Sequence, residues 1–173
     1  MSKRARQYIG IISAVVIYYI IHEGAHLLTA LAMGVFKQIN FMGLGVQIDV
    51  FNDRMSDFQM GIFCLAGSAA SLIGAYILLA LRKRICSSKS PVFRCVMYYT
   101  SITMLLLDPV YLSVLCSFFG GGDMNGISLL IPEAAARIIF GVVLVVNAFV
   151  FLKAILPEYK ASFAESGEKN ENS

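Results

Sequence analysis

The apolar positions of this chain are grouped into four long stretches, which are separated by short polar connections. The stretches cover roughly residues 8–33, 58–81, 95–119 and 132–155. Each is long enough to cross a hydrocarbon layer of about 30 Å, which takes about 20 helical residues. The second is rich in small residues between Gly61 and Ala75, which let helices approach closely in lipid. The pattern predicts an all-α integral membrane protein with about four transmembrane helices.

A pattern of shorter period follows the first apolar stretch. Apolar residues alternate with polar ones from Val46 to Val50, and Gly43 and Gly45 lie in a position to turn the chain. A period of two residues is typical of a half-buried strand. We expect a short β-hairpin-like segment over about 39–51, and the alternative is an irregular surface loop.

Basic residues are distributed unevenly over the connections. Lys and Arg number three in residues 1–7, five in 82–94 and three in 153–173, against two in 34–57 and none in 120–131. Because cytoplasmic segments carry an excess of Lys and Arg, we expect a multi-pass protein with both termini in the cytosol. Such basic flanks fit a bacterial cell membrane.

The same charge pattern bears on domains and partners. We expect a transmembrane core over residues 1–156 and a disordered polar tail over 157–173, where the composition turns polar. The net charge of +3 does not indicate a nucleic-acid partner, because the basic residues flank membrane segments and are not interleaved with aromatic residues on a polar face. The expected partner is the lipid bilayer. The cysteines show no C-x-x-C spacing and are expected to be packing residues: Cys64, Cys86, Cys95 and Cys116.

Both histidines of the chain belong to one motif, His22-Glu23-Gly24-Ala25-His26, inside the first apolar stretch. Helical positions four apart lie on one face, so both imidazoles can bind one ion with Glu23 beside them. Histidines that only pack in a helical core are the alternative. Placing three polar groups in hydrocarbon costs about 3 kcal/mol or more per ionised group, so such groups usually line a functional site. We interpret the motif as a zinc site.

A cleaved signal peptide is a second interpretation of the first stretch. The segment Ser2-Lys3-Arg4-Ala5-Arg6 resembles the basic start of such a peptide, and Ala30-Leu31-Ala32 resembles a cleavage site. The apolar run is too long for a signal peptide and carries His22, Glu23 and His26 just before the cleavage site. We therefore expect a retained first helix.

A catalytic zinc ion takes three protein ligands and leaves one position open. The chain has no third histidine, and the acidic candidates near the membrane region are Asp108, Asp123 and Glu133. Glu133 and Arg137 are four positions apart on the predicted fourth helix and can form an ion pair. Glu133 is therefore expected to be structural.

The two aspartates remain as candidates for the third ligand. Asp123 lies in the glycine-rich segment 120–126, on the same predicted side of the membrane as the histidines. A plain surface turn is the alternative there. Asp108 precedes Pro109 in the third stretch and could bind metal, face the substrate or offer a polar partner where the proline frees a backbone carbonyl. We rank Asp123 first.

With these motifs the chain resembles the site-2 protease family of intramembrane zinc metalloproteases, as a small member with only the membrane core. The resemblance covers residues 8–155. It rests on the histidine motif at 22–26 in a membrane helix, on Leu65-Ala66-Gly67-Ser68 early in the next helix, and on the segment 122–126 before a late helix. In the family a glycine usually follows the aspartate of the third motif, whereas Met124 follows Asp123 here.

The resemblance implies that His22, His26 and Asp123 bind zinc as the cofactor, with Asp108 as the less favoured third ligand. It implies that Glu23 activates a zinc-bound water, which hydrolyses a peptide bond in or next to a transmembrane segment of a membrane-protein substrate. The segment 39–51 could hold that substrate as an added strand. A regulatory membrane partner is possible. The alternative function is a non-catalytic membrane protein that binds metal or a partner protein.

Overall fold

The computed structural model describes residues 1–43 and 45–171, and the side chains of all of these except Met42 and 165–171. Six α-helices and two strands follow one another along the chain. In order they are α1 (Lys3–Ala32), β1 (Phe36–Met42), β2 (Gly45–Val50), α2 (Asp57–Cys86), α3 (Pro91–Val110), α4 (Asp123–Ile127), α5 (Glu133–Val150) and α6 (Leu156–Glu171).

Four helical segments are long and apolar enough to cross a membrane. They are Lys3–Ala32, Asp57–Cys86, Pro91–Phe118 and Glu133–Ala164. The last two each contain a π-helical turn, at Tyr111–Leu115 and at Phe151–Ile155. The prediction of about four membrane-spanning helices is therefore confirmed, and each helix extends beyond its predicted apolar stretch at the end that adjoins a basic segment.

The predicted packing face of α2 is also present. Small side chains let α1 and α3 approach α2 closely, and the buried ones are Gly61, Gly67, Ser68, Ser71 and Ala75. The helix begins at a capping box in which Ser56 and Gln59 bond to each other's backbone N–H groups. Helix α2 therefore begins at a defined capping residue, and its buried face consists largely of small residues.

The predicted hairpin is confirmed. Strands β1 and β2 pair antiparallel, with Phe36 opposite Val50 and Ile39 opposite Ile48. Ile48 and Val50 are buried and pack with Val35 in the core cluster that also contains residues of α2 and α4. A two-stranded sheet is marginal alone in water, so the contact with the helices stabilises it.

Pro109 interrupts the hydrogen-bond ladder of α3. It has no N–H to donate to the carbonyl four residues earlier, which belongs to Leu105. The side-chain amide of Asn147 in α5 donates to that carbonyl at 2.8 Å, and the Tyr76 hydroxyl of α2 donates to the Asn147 carbonyl oxygen at 2.7 Å. The carbonyl that the proline frees is thus satisfied by Asn147 and not by Asp108.

The prediction of a disordered tail over 157–173 does not hold for residues 157–164, which are helical and pack against the bundle. The chain continues as α6 to Glu171, and Asn172 and Ser173 lie outside the described residues. Tyr159 is 1% exposed, and an Arg94 guanidinium N–H donates to the Ser162 carbonyl at 2.5 Å. A short packing face lies within this polar segment, because residues three and four positions apart share one side of a helix. Its members are Tyr159, Ser162 and Phe163.

Candidate metal centre

The two histidines of the motif lie buried on the face of α1 that contacts α2. His22 is 8% exposed and His26 is 4% exposed. Gly67 of α2 lies directly opposite, and a Cβ atom added there would meet the Nε2 atoms of both imidazoles, at 2.6 Å from that of His22. The missing side chain of Gly67 is what gives the two rings their space.

Three possible ligand atoms converge at this point. The two histidine Nε2 atoms are 3.2 Å apart, and Asp123 Oδ2 lies 3.3 Å from His22 Nε2 and 3.5 Å from His26 Nε2. Corners of a tetrahedron around zinc, with bonds of about 2.0–2.1 Å, lie about 3.3–3.4 Å apart. The observed triangle therefore has the size of one face of a zinc tetrahedron, and its nitrogen and carboxylate donors are common zinc ligands.

The ring of His26 is oriented by α2. Its Nδ1 lies 2.8 Å from the backbone carbonyl oxygen of Phe63. A carbonyl can only accept, so Nδ1–H is the donor and Nε2 is the atom that faces Asp123. A metal ion could bind Nε2 once that atom carries no proton, and the hydrogen bond to Phe63 fixes the plane of the ring.

The ring of His22 is oriented by three polar side chains on the side opposite Asp123. Its Nδ1 lies 3.2 Å from the Tyr18 hydroxyl, 3.4 Å from Asp108 Oδ1 and 3.4 Å from Ser71 Oγ. The Tyr18 hydroxyl donates to Asp108 Oδ1 at 2.5 Å. Asp108 thus contacts the Nδ1 side of His22 and Asp123 contacts the Nε2 side, so the two carboxylates occupy different positions around one imidazole.

Asp123 is delivered by a short segment between α3 and α4. Gly120, Gly121 and Gly122 have positive φ values of 79°, 88° and 48°, which side chains rarely tolerate. Directly after Asp123, Met124 is 2% exposed and anchors α4 in the core together with Ile127. Met124 therefore has a packing role.

The charge state of Asp123 follows from its surroundings. Burial alone would raise the pKa of its carboxyl, but hydrogen bonds and charge interactions with His22 and His26 outweigh burial and lower the pKa to about 2. Asp123 is therefore ionised at neutral pH, as a metal ligand must be.

Glu23 lies beside this cluster at the wall of a cavity of about 520 Å³. The cavity is also lined by His26, Asp123 and Ile48, and the Glu23 carboxylate interacts with the backbone N–H of Ile48 in β2. The possible general base and two of the three possible metal ligands thus face one space, which is large enough for a short peptide segment.

Several residues around the site were not predicted from the sequence. Tyr18 lies four positions before His22 on the same helix face, so the spacing of Tyr18, His22 and His26 is a signal that could have identified it. Ser71 and the Phe63 carbonyl carry no such signal, because their contacts depend on how α2 packs against α1.

Comparison with known proteins does not assign the chain to a family. No family model, no curated protein and no solved structure matches the chain. The function is therefore inferred from the residues of the chain and from the resemblance of its motifs.

Proposed function

We propose that this protein is an intramembrane zinc metalloprotease that hydrolyses a peptide bond in or next to a transmembrane segment of a membrane-protein substrate. The observation that carries the proposal is the triangle of His22, His26 and Asp123 ligand atoms, with Glu23 on the same cavity. A hydrolytic site needs a base next to the ligands, and Glu23 provides a carboxylate there.

The cofactor would be held by the two Nε2 atoms and by Asp123. When bound, zinc supplies Lewis-acid chemistry that polarises a carbonyl oxygen and lowers the pKa of water toward 7. Asp108 and Tyr18 would hold the His22 ring in place from its Nδ1 side, and the Phe63 carbonyl would do the same for His26.

Glu23 would move the proton. Its carboxylate would accept a proton from the water molecule that attacks the scissile carbonyl, and would return it to the nitrogen of the leaving amine as the C–N bond breaks. Glu23 borders a cavity open to a peptide and is not held in an ion pair with Lys or Arg among the residues described. No fixed cation therefore prevents its carboxylate from accepting and returning a proton in one turnover.

The substrate would be an extended strand when it is cleaved, because a helix hides its carbonyls within its own hydrogen-bond ladder. β2 pairs with β1 along one edge only, and Gln47 and Ile48 of β2 line the cavity. An unwound substrate segment could add to the other edge of β2 and pass in front of Glu23. In this binding mode, hydrogen bonds to the substrate backbone give the affinity, and contacts with substrate side chains give the specificity.

The location and partners belong to the same proposal. The basic end of the bundle, which holds both termini, would lie in the cytosol of a bacterial cell. The membrane-protein substrate and the lipid bilayer would be the main partners, and a regulatory membrane protein is a further candidate.

The test is a comparison of the wild type with Glu23→Gln, which keeps the size of the side chain and removes the base. Asp53→Asn is the matched control, because Asp53 is an exposed carboxylate in the loop before α2. Zinc content is measured by mass spectrometry on purified protein. New protein N-termini are mapped by proteomics in membranes that contain each variant, and candidate substrates are then cleaved in detergent.

We expect zinc in all three proteins, and new termini within or beside transmembrane segments for the wild type and Asp53→Asn only. General-base removal should slow cleavage by about 10²–10⁴-fold. Equal cleavage by Glu23→Gln would overturn the mechanism. Bound zinc with no cleavage by any of the three would favour the non-catalytic metal-binding protein.

A further inference from the structure

A second cavity lies at the other end of the membrane bundle, away from the metal centre. It has a volume of about 380 Å³ and is formed by the start of α1, the first half of α3 and α6. Arg6 and His22 are 16 positions apart on α1, which corresponds to about 24 Å along the helix. The two cavities are therefore separate sites.

The chemistry of this second cavity is cationic. Lys3, Arg6 and Lys160 line it, and no carboxylate is among its lining residues. In the part of the chain that the structure describes, none of these three side chains forms an ion pair with a carboxylate. Three cations gathered without an anion are mutually repulsive, so an anionic ligand would stabilise the arrangement.

The remaining wall is aromatic and apolar. Tyr98 and Tyr99 of α3 add phenol groups, while Leu156 and Phe163 add apolar surface. The guanidinium of Arg6 lies 5.6 Å from the centroid of the Phe163 ring, a cation–π contact that orients it. A small hydrophilic anion would leave this surface uncovered, whereas a molecule with a phosphate head and an apolar chain would cover both parts.

The position in the bundle indicates the same ligand. The connections at this end carry eleven of the fourteen Lys and Arg residues of the chain. One to two turns after Arg6 along α1, the apolar residues Ile9 and Ile12 are exposed, so the apolar part of the bundle that the bilayer would cover begins at that level. Basic pockets between membrane helices at such an interface bind the headgroups of anionic lipids.

We propose that this cavity is a binding site for an anionic phospholipid. Lys3, Arg6 and Lys160 contact its phosphate, and its acyl chains lie along the apolar surface that begins at Leu156 and Phe163. The site is independent of the metal centre and of the proposed protease activity.

The test is native mass spectrometry of the full chain in detergent, titrated with phosphatidylglycerol and separately with phosphatidylcholine. The variant is Lys3→Gln with Lys160→Gln, since both side chains are exposed and neither holds the fold. The control is Lys83→Gln with Arg84→Gln, which removes two exposed charges at the same end outside the cavity. Circular dichroism verifies that each variant is folded.

We expect one retained phosphatidylglycerol per chain in the wild type and in the control variant, and weaker retention of phosphatidylcholine. The cavity variant should bind phosphatidylglycerol about tenfold or more weakly, since each basic residue near an anionic lipid surface contributes about a factor of five. Equal losses in both variants would overturn the proposal, because they would show attraction by surface charge alone.

Two further outcomes would also overturn it. Equal retention of phosphatidylcholine would show that the phosphate charge is not recognised. Displacement of the lipid by millimolar inorganic phosphate would assign the cations to a free phosphate ion, and the apolar wall would then have no part in binding.

Discussion

Replacement of Gly67 by alanine tests the packing that creates the candidate metal centre. The added Cβ would lie 2.6 Å from His22 Nε2, whereas ordinary contact begins at 3.4 Å. Either the imidazole or the whole of α2 must move by about 0.8 Å, and the clash with His26 Nε2 is closer still. Metal sites tolerate errors of about 0.2 Å in ligand position.

We therefore expect Gly67→Ala to bind zinc at least about 100-fold more weakly than the wild type, comparable to the loss of a supporting hydrogen bond around a metal ligand or larger. Overpacking of this kind should also cost about 1–3 kcal/mol in the free energy of unfolding. Zinc affinity is measured by competition with a chromophoric chelator, and stability by thermal unfolding in detergent.

Gly24→Ala is the matched control, because it adds the same methyl group within the histidine motif itself. No atom lies within 4 Å of a Cβ built at Gly24, and alanine is favoured over glycine in a helix by about 1 kcal/mol. Zinc affinity should be unchanged. Wild-type affinity in Gly67→Ala, or an equal loss in Gly24→Ala, would refute the arrangement of α1 against α2.

Three further predictions follow from contacts described above. Asp123→Asn should abolish stoichiometric zinc binding, whereas Asp108→Asn should weaken it by about 10–100-fold; zinc titrations of the two variants check this, and the reverse order would exchange their roles. Tyr159→Ala should lower the free energy of unfolding by about 3 kcal/mol, because the side chain is 1% exposed; an unchanged unfolding temperature would support the prediction of a disordered tail. Asn147→Leu should cost about 1–3 kcal/mol by leaving the Leu105 carbonyl unsatisfied, and Tyr76→Phe, which removes one hydroxyl, should cost less; equal unfolding temperatures for wild type and Asn147→Leu would contradict this.

The elements of the fold could be predicted because they depend on local pattern. Length and hydropathy identify a membrane helix, alternation identifies a strand, and a spacing of four places His22 and His26 on one face. The prediction for the tail after Pro157 was wrong because it relied on a local property, the average polarity of the segment. That average does not reveal Tyr159 and Phe163, whose packing depends on α3 lying beside them.

The arrangement of the candidate site depends on contacts between distant segments, which no local pattern contains. Asp108 and Asp123 both follow the histidines by many residues, and spacing alone could not decide which of them lies at the Nε2 atoms. The structure separates them because α3 carries Asp108 to one side of His22 and the start of α4 carries Asp123 to the other. The role of Gly67 was hidden among other small residues of α2.

The amide of Asn147 has a consequence for the register of the last membrane helix. Within α5 the buried side chains are Ala136, Phe140 and Asn147, and apart from Glu133, Arg137 and Asn147 the helix consists of apolar residues and glycine. Sliding by one turn, about 5.4 Å, would still bury comparable apolar surface. It would, however, break hydrogen bonds to both Tyr76 and Leu105 inside hydrocarbon. One polar side chain therefore sets the depth and rotation of α5, and through it the position of α6, as a single buried asparagine fixes the alignment of a coiled coil.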